Sequence, residues 1–189
     1  MKMKQEAVEK PFQGNKNNYE HDEKTSVRIL LVETDKEIEQ VAELAKEIWL
    51  EHYEPIIGRE QVHYMIEKFQ SVQAMKEQME HKNYHYYRLM ASDKLAGYFA
   101  CCEEEEKLFL SKLYIAKNYR GMGYAREALN YMEDYCKNHD LQAIWLTVNR
   151  NNTGSIHRYE KLGFAKKYEQ VADIGDGYVM DDYVMEKKL

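Results

Sequence analysis

The sequence predicts one α/β domain of the mixed, α+β kind, with a largely antiparallel central sheet flanked by helices. Three observations lead there. Apolar periodicity alternates between strand and helix patterns in the order strand, two or three helices, three strands, helix, strand, helix, two strands. Short polar turns join the strands of the front half. A helix separates the fourth strand from the fifth, as a strand–helix–strand unit requires. The 189 residues, 44% hydrophobic and 32% charged, suit one substantial core rather than two.

Residues 1–25 are polar and lack hydrophobic periodicity, so a flexible tail is expected ahead of a domain spanning 26–189. They contain no apolar segment of the secretory kind. Val27 to Val32 is the first strand. Thr34 and Glu37 have the spacing of a capping box. The helix after them places Ile38, Val41, Ala42, Ala45, Ile48 and Trp49 on one face and is expected to end near Tyr53, before Pro55. Gly58 and Arg59 introduce a second helix with the stripe Val62, Met65, Ile66 and Phe69, and a third carries Val72, Met75 and Met79.

The period then shortens. Tyr84 to Ala91 and Leu95 to Cys102 read as strands around a Ser92-Asp93-Lys94 turn, and Glu103 to Glu106 reads as a solvated hairpin turn. Leu108 to Ile115 is the fourth strand and Ala143 to Val148 the fifth. Asn152 caps a helix ending at Gly163, where the absent Cβ suits the left-handed C′ position. Phe164 to Val171 and Tyr178 to Glu186 close the domain around a 173–177 loop.

Between the fourth strand and its helix runs Arg120-Gly121-Met122-Gly123-Tyr124-Ala125. The helix that follows carries Ala125, Ala128, Leu129, Met132 and Cys136 at i, i+3, i+4, i+7 spacing. A strand, a Gly-x-Gly turn and a helix N-terminus make an anion site: free amides point outward, the dipole is positive, and glycines let backbone approach a phosphate. Arg120 adds a cation. No acid follows at the distance that a dinucleotide fold needs, since Asp140 falls in a turn.

Together with a second motif, Val148-Asn149-Arg150-Asn151-Asn152 through Tyr159 to Gly163-Phe164, this loop resembles the GNAT superfamily of acyl-CoA-dependent N-acetyltransferases. Arg120, Gly123 and Ala125 match that superfamily's Arg/Gln-x-x-Gly-x-Gly/Ala signature, and Asn152, Tyr159 and Gly163-Phe164 match its last helix. The resemblance covers roughly residues 27–189 and implies the acyl-CoA N-acyltransferase fold. The run Gly175 to Lys187, and Ile144-Trp145-Leu146, are further similar to bacterial enzymes that acetylate polyamines such as spermidine and spermine.

The resemblance implies acetyl-CoA as cosubstrate. The backbone of Leu113, Tyr114 and Ile115 is expected to pair with the pantetheine arm. The amides of Gly121, Met122, Gly123, Tyr124, Ala125 and Arg126, with Arg120, are expected to hold the pyrophosphate, and Asn152 the pantetheine amides. Tyr159 is expected to protonate the leaving thiolate, although its spacing with Ile156 and Leu162 also fits a core aromatic. Many relatives carry a Glu on the fourth strand where this chain has Phe109, Ser111 and Lys112, so the general base is left open. Glu51, His52 and Glu54 lie where the family builds its acceptor pocket, and they equally fit a solvated helix end.

The expected reading is a cytoplasmic N-acetyltransferase acting on a small amine. Acetylation of protein N-termini or lysines, and a non-catalytic acyl-CoA-binding module, stand as alternatives. A net charge of -6 argues against nucleic acid, and no apolar run reaches the roughly 20 residues that span a bilayer. Cys101, Cys102 and Cys136 read as buried thiols, with no metal-binding spacing. A homodimer is compatible with the sequence.

Overall fold

A computed structural model describes residues 27–189; the expected tail lies outside the described residues. Seven strands form one sheet in the order β1-β2-β3-β4-β5-β7-β6. They are β1 (Val27–Leu31), β2 (His85–Ala91), β3 (Lys94–Glu104), β4 (Lys107–Ile115), β5 (Ala143–Asn149), β6 (Ala165–Gly175) and β7 (Tyr178–Lys188). All neighbours are antiparallel except β4 and β5, joined through helix α4 (Tyr124–Asn138) as the sequence predicts. Helices α1 (Asp35–Ile57), α2 (Arg59–Met65) and α3 (Val72–His81) follow β1, and α5 (Thr153–Lys161) follows β5.

Local chemistry explains most element ends. The Thr34–Glu37 capping box is complete and opens α1. Helix α1 does not stop at Tyr53 but runs through Pro55 to Ile57. In the last turn proline costs a single intrahelical bond, and the Gly58 amide closes that turn onto the Glu54 carbonyl at 3.1 Å. Helix α2 does not carry its stripe onward unbroken. It widens into a π-helical turn over Ile66–Gln70, which buries Gln70 and leaves Ile66 and Phe69 half-buried.

Two expected loops are shorter than the sequence suggests. Strand β3 extends through Glu104, so the acidic run turns only at Glu105 and Glu106, and Glu103 receives the Tyr135 hydroxyl and faces His139. Strand β6 reaches Gly175. The hairpin then reverses at Asp176-Gly177, both at positive φ as a tight two-residue turn requires.

The core lies on both faces of the sheet. Helices α4 and α5 cover one face through Leu129, Met132, Cys136 and Ile156, packed on Phe99, Leu108 and Ile144. Helices α1 and α3 cover the other through Val41, Ala45, Ile48 and Met75 against Tyr86 and Tyr98. All three cysteines are buried free thiols. Among the described residues no helix is long and apolar enough to cross a membrane, and no group of His, Cys, Asp or Glu could hold a metal ion.

Candidate active site

Strands β4 and β5 pair only over Lys107–Phe109 and Ala143–Trp145, then part. Phe109 and Trp145 stack at the fork, ring centroids 4.0 Å apart. Beyond it, the β5-facing edge of residues 110–115 has no strand beside it. On the other edge the register slips: Leu113 pairs with Phe99 but Leu110 with Cys101, so β4 carries one extra residue at Ser111-Lys112. A cleft of about 1000 Å³ opens in this fork. That is the upper end of small-molecule sites, with room for two substrates together.

Strand β4 leads through a single turn of 3-10 helix (Lys117–Tyr119) to Gly121 and Gly123, with φ of 81° and 85°. A Cβ at either would meet nothing within 4 Å, so the loop is shaped by backbone conformation rather than by crowding. Gly123 is the N-cap of α4 and offers no side-chain cap, which leaves the amides of Tyr124 and Ala125 for a ligand. The Arg126 amide differs from the expectation because it is spent on the Gly123 carbonyl at 2.9 Å. Met122 is exposed and lies outside the cleft lining.

Arg120 lines the cleft, but its guanidinium faces Glu51: Nη1 to Oε1 at 3.1 Å and Nη2 to Oε2 at 3.3 Å. Its Nε donates to the Ile115 carbonyl at 3.0 Å, tying the loop to the end of β4. Glu51 also faces Lys117 and, like Glu54, is absent from the cleft lining. Of the three expected acceptor-pocket residues only His52 lines the cleft. Burial lowers its pKa, against the adjoining Asn152 amide, so the imidazole is neutral at pH 7.

Asn152 caps α5, its Oδ1 accepting from the Ser155 amide at 3.2 Å. It is only 3% exposed, and its Nδ2 lacks a hydrogen-bond partner among the described residues although His52 and Tyr53 adjoin it. Asn152 itself is not among the residues lining the cleft, but its unsatisfied donor lies beside His52 and Tyr53, which are, and it fits a bound amide carbonyl. Tyr159 is half-buried and lines the cleft, its ring edge-on to Phe164 at 5.5 Å. Burial raises its pKa, so the phenol holds its proton at neutral pH.

Among the lining residues that escape the sequence reading are two cations of α5. Arg158 and Lys161 project from α5 into the cleft and join Arg120 and Arg126 as a cationic rim; their i, i+3 spacing was the available signal. Lys112 donates to the Phe69 carbonyl at 3.0 Å, Gln70 Oε1 at 3.1 Å and Gln78 Oε1 at 3.4 Å, and burial lowers its pKa to about 7. Among the described residues Asp182 is the one carboxylate lining the cleft.

The model of the Acetyltransferase (GNAT) family matches residues 38–164, which include both the loop and the fork. The chain belongs to this family. It is an acetyltransferase, with acetyl-CoA as cosubstrate, and the cleft described above suits that molecule: a free strand edge, a glycine loop and a rim of cations. No curated protein matches the sequence. Among solved structures the chain is similar to the PaiA N-acetyltransferase of Thermoplasma acidophilum in complex with coenzyme A, at 23% identity and TM-score 0.72, covering 87% of this chain and 99% of that one. It also resembles a spermidine N-acetyltransferase SpeG chimera from Vibrio cholerae and hSSAT (18%, TM-score 0.63, 86% and 95%). A third is the ribosomal-protein-S18-alanine N-acetyltransferase of Escherichia coli (18%, TM-score 0.61, 86% and 94%). At these identities the likeness speaks for the fold.

Proposed function

We propose that this GNAT acetyltransferase moves the acetyl group of acetyl-CoA to a primary amine of a small molecule in the cytoplasm, with polyamines such as spermidine and spermine as the acceptor class. The observation that carries the reading is the fork itself. One continuous cleft joins a free β4 edge, the Gly121–Gly123 loop, Tyr159 and a single carboxylate. The polyamine class draws on the likeness of the Gly175–Lys187 run to enzymes of that kind and on the spermidine N-acetyltransferase among the structural neighbours.

In this reading the residue 113–115 edge receives the pantetheine as a further strand, with Asn152 Nδ2 donating to one of its carbonyls. The Tyr124 and Ala125 amides and those of the glycine loop hold the pyrophosphate. Charge-assisted bonds of this kind contribute about 1.5–3 kcal/mol each. Attack of the amine on the thioester carbonyl builds an oxyanion, which in this reading a backbone N–H of β4 stabilises, the Ser111-Lys112 bulge being the irregularity that supports it. Tyr159 gives its proton to the departing thiolate.

A second reading, acetylation of a peptide α-amine, is favoured by the cleft's single carboxylate, because one charge selects one ammonium. Acetyl-CoA consumption by the full chain across di- and polyamines, monoamines and short peptides decides between them. The polyamine reading expects kcat/KM to be highest for spermidine or spermine. A preference for peptides would replace it with the second reading.

A further inference from the structure

One buried ionisable group has no task in the chemistry above. Asp182 of β7 pairs with Asn149 of β5 and Gln170 of β6, on the stretch of sheet where β5 has already left β4. At 2% exposure it is the one buried charged residue among the described residues. Its sequence neighbour Asp181 is balanced by Arg150, 2.8 Å away, and Arg150 is held in turn by Glu169 at 2.6 Å. Among the described residues no cation pairs with Asp182 in the same way. The groups that face it are the Thr147 side chain from β5, the Tyr53 phenol from α1 and the Asp181 carboxylate on its own strand. Burying a carboxylate without a counter-ion is expensive, and the expense is offset if the cation arrives with a ligand. The acceptor of this reaction reaches the enzyme as R–NH3+.

We propose that Asp182 receives the acceptor's ammonium and takes its proton, acting as the general base that the fourth strand lacks. This rests on the amine-acetylation reading. The carboxylate accepts one proton from R–NH3+ as the nitrogen lone pair forms the C–N bond to the acetyl carbonyl carbon, and later passes that proton to water. The C–S bond then breaks. The thiolate gains a proton from Tyr159, and the nitrogen's second proton, lost as the amide forms, restores the Tyr159 phenol through water. The sum is R–NH3+ plus acetyl-CoA giving R–NH–acetyl, CoA–SH and one released proton. Burial pushes the Asp182 carboxyl up to about 6, with Asp181 adding to the rise and Thr147 opposing it. That places its conjugate acid close to working pH, where a general base is most effective.

The test uses the full chain with acetyl-CoA and whichever amine the wild type acetylates best. Wild-type kcat/KM for the amine is expected to fall on the acid side through a limb near pH 6. Asp182→Asn keeps the side-chain shape and is expected to lower kcat about 10²–10⁴-fold and erase that limb, while CoA still protects the variant from thermal unfolding. Asp182→Glu, which restores the charge at a displaced position, should recover part of the activity. An acceptor already neutral at assay pH, such as an arylamine, should narrow the deficit of Asp182→Asn, because it has less need of the base. Thr147→Val offers a milder probe should Asp182→Asn fail to fold: loss of the bond that opposes the rise should move the limb to higher pH. An Asp182→Asn variant with an unchanged limb, or one equally impaired towards ammonium and neutral acceptors, would overturn the proposal while leaving amine acetylation standing. A wild type that binds CoA and acetylates no amine at all would overturn both.

Discussion

Arg120 and Glu51 meet in a two-pronged ion pair, 3.1 and 3.3 Å long, that bridges the glycine loop and helix α1. The sequence motif presents Arg120 as a cation for phosphate, yet much of its charge is already answered by a carboxylate 69 residues away in the chain. Both side chains are about one-third exposed, so solvent screens the pair and its own contribution is modest, about 0.2–1 kcal/mol.

The pair therefore acts by holding the loop. Arg120→Ala loses both the pair and the bond to the Ile115 carbonyl, whereas Glu51→Gln loses only the charge. Arg120→Ala should weaken CoA binding more than Glu51→Gln does. A double-mutant cycle on CoA affinity by calorimetry should return a coupling of about 0.5–1 kcal/mol. Purely additive effects would mean that the two residues act on CoA separately.

Gly123 carries a φ of 85° with open space where a Cβ would stand. Gly123→Ala should cost roughly 1–2 kcal/mol of stability through backbone strain alone. Gly123→Val adds bulk towards the cleft and should also diminish the CoA-dependent rise in Tm, which at a hundredfold excess over Kd corresponds to about 2.7 kcal/mol. A full rise in the valine variant would remove the loop from the phosphate site.

Tyr159→Phe deletes one hydroxyl and retains the ring packed on Phe164. Turnover should fall about 10²–10⁴-fold with little change in CoA affinity, since the hydroxyl acts only as the thiolate leaves. Steady-state kinetics alongside a CoA titration separate the two quantities. Unchanged turnover would leave Tyr159 as a packing residue.

Most of the fold could be read from the sequence because its signals are local. The Thr34–Glu37 box, the strand–helix–strand unit and the Asn152 cap each reside within a few neighbouring residues. What escaped was set by contacts distant in the chain. Nothing near Lys112 shows that Phe69, Gln70 and Gln78 will surround it, because those partners come from a π-helical turn and α3. In the same way Asp181 and Asp182 look alike in sequence. Strand alternation sends one to Arg150 and buries the other beside Thr147. Glu51 reads as an acceptor residue in the sequence, and only the fold, which sets the glycine loop beside α1, gives it to Arg120.

Lys112 gives a pH prediction with a definite sign. Its pKa falls from 10.5 to about 7 on folding, so between those values the unfolded chain binds more protons than the native one. Stability contributed at this position therefore rises as pH climbs from about 7 towards 10. Relative to Lys112→Met, the wild type should gain Tm over that window in matched thermal melts. A difference that stays flat with pH would show that Lys112 remains charged in the folded protein.

The acceptor prediction turns on where the carboxylates are. Glu51 is taken by Arg120 and Lys117, Glu54 is outside the lining, and Asp182 alone faces the cleft. The first ammonium of a polyamine thus has a buried partner, while its remaining ammonium groups see only the diffuse field of a chain with net charge -6. That field is screened over about 8–10 Å at physiological salt. Spermidine should therefore outperform a monoamine of equal length by a modest factor, expressed in KM rather than kcat, and added salt should erase the difference. Initial rates for the two acceptors at low and high ionic strength measure this directly. Equal rates at low salt would remove the polyamine class and leave Asp182 selecting a single ammonium, as a peptide α-amine or a monoamine supplies.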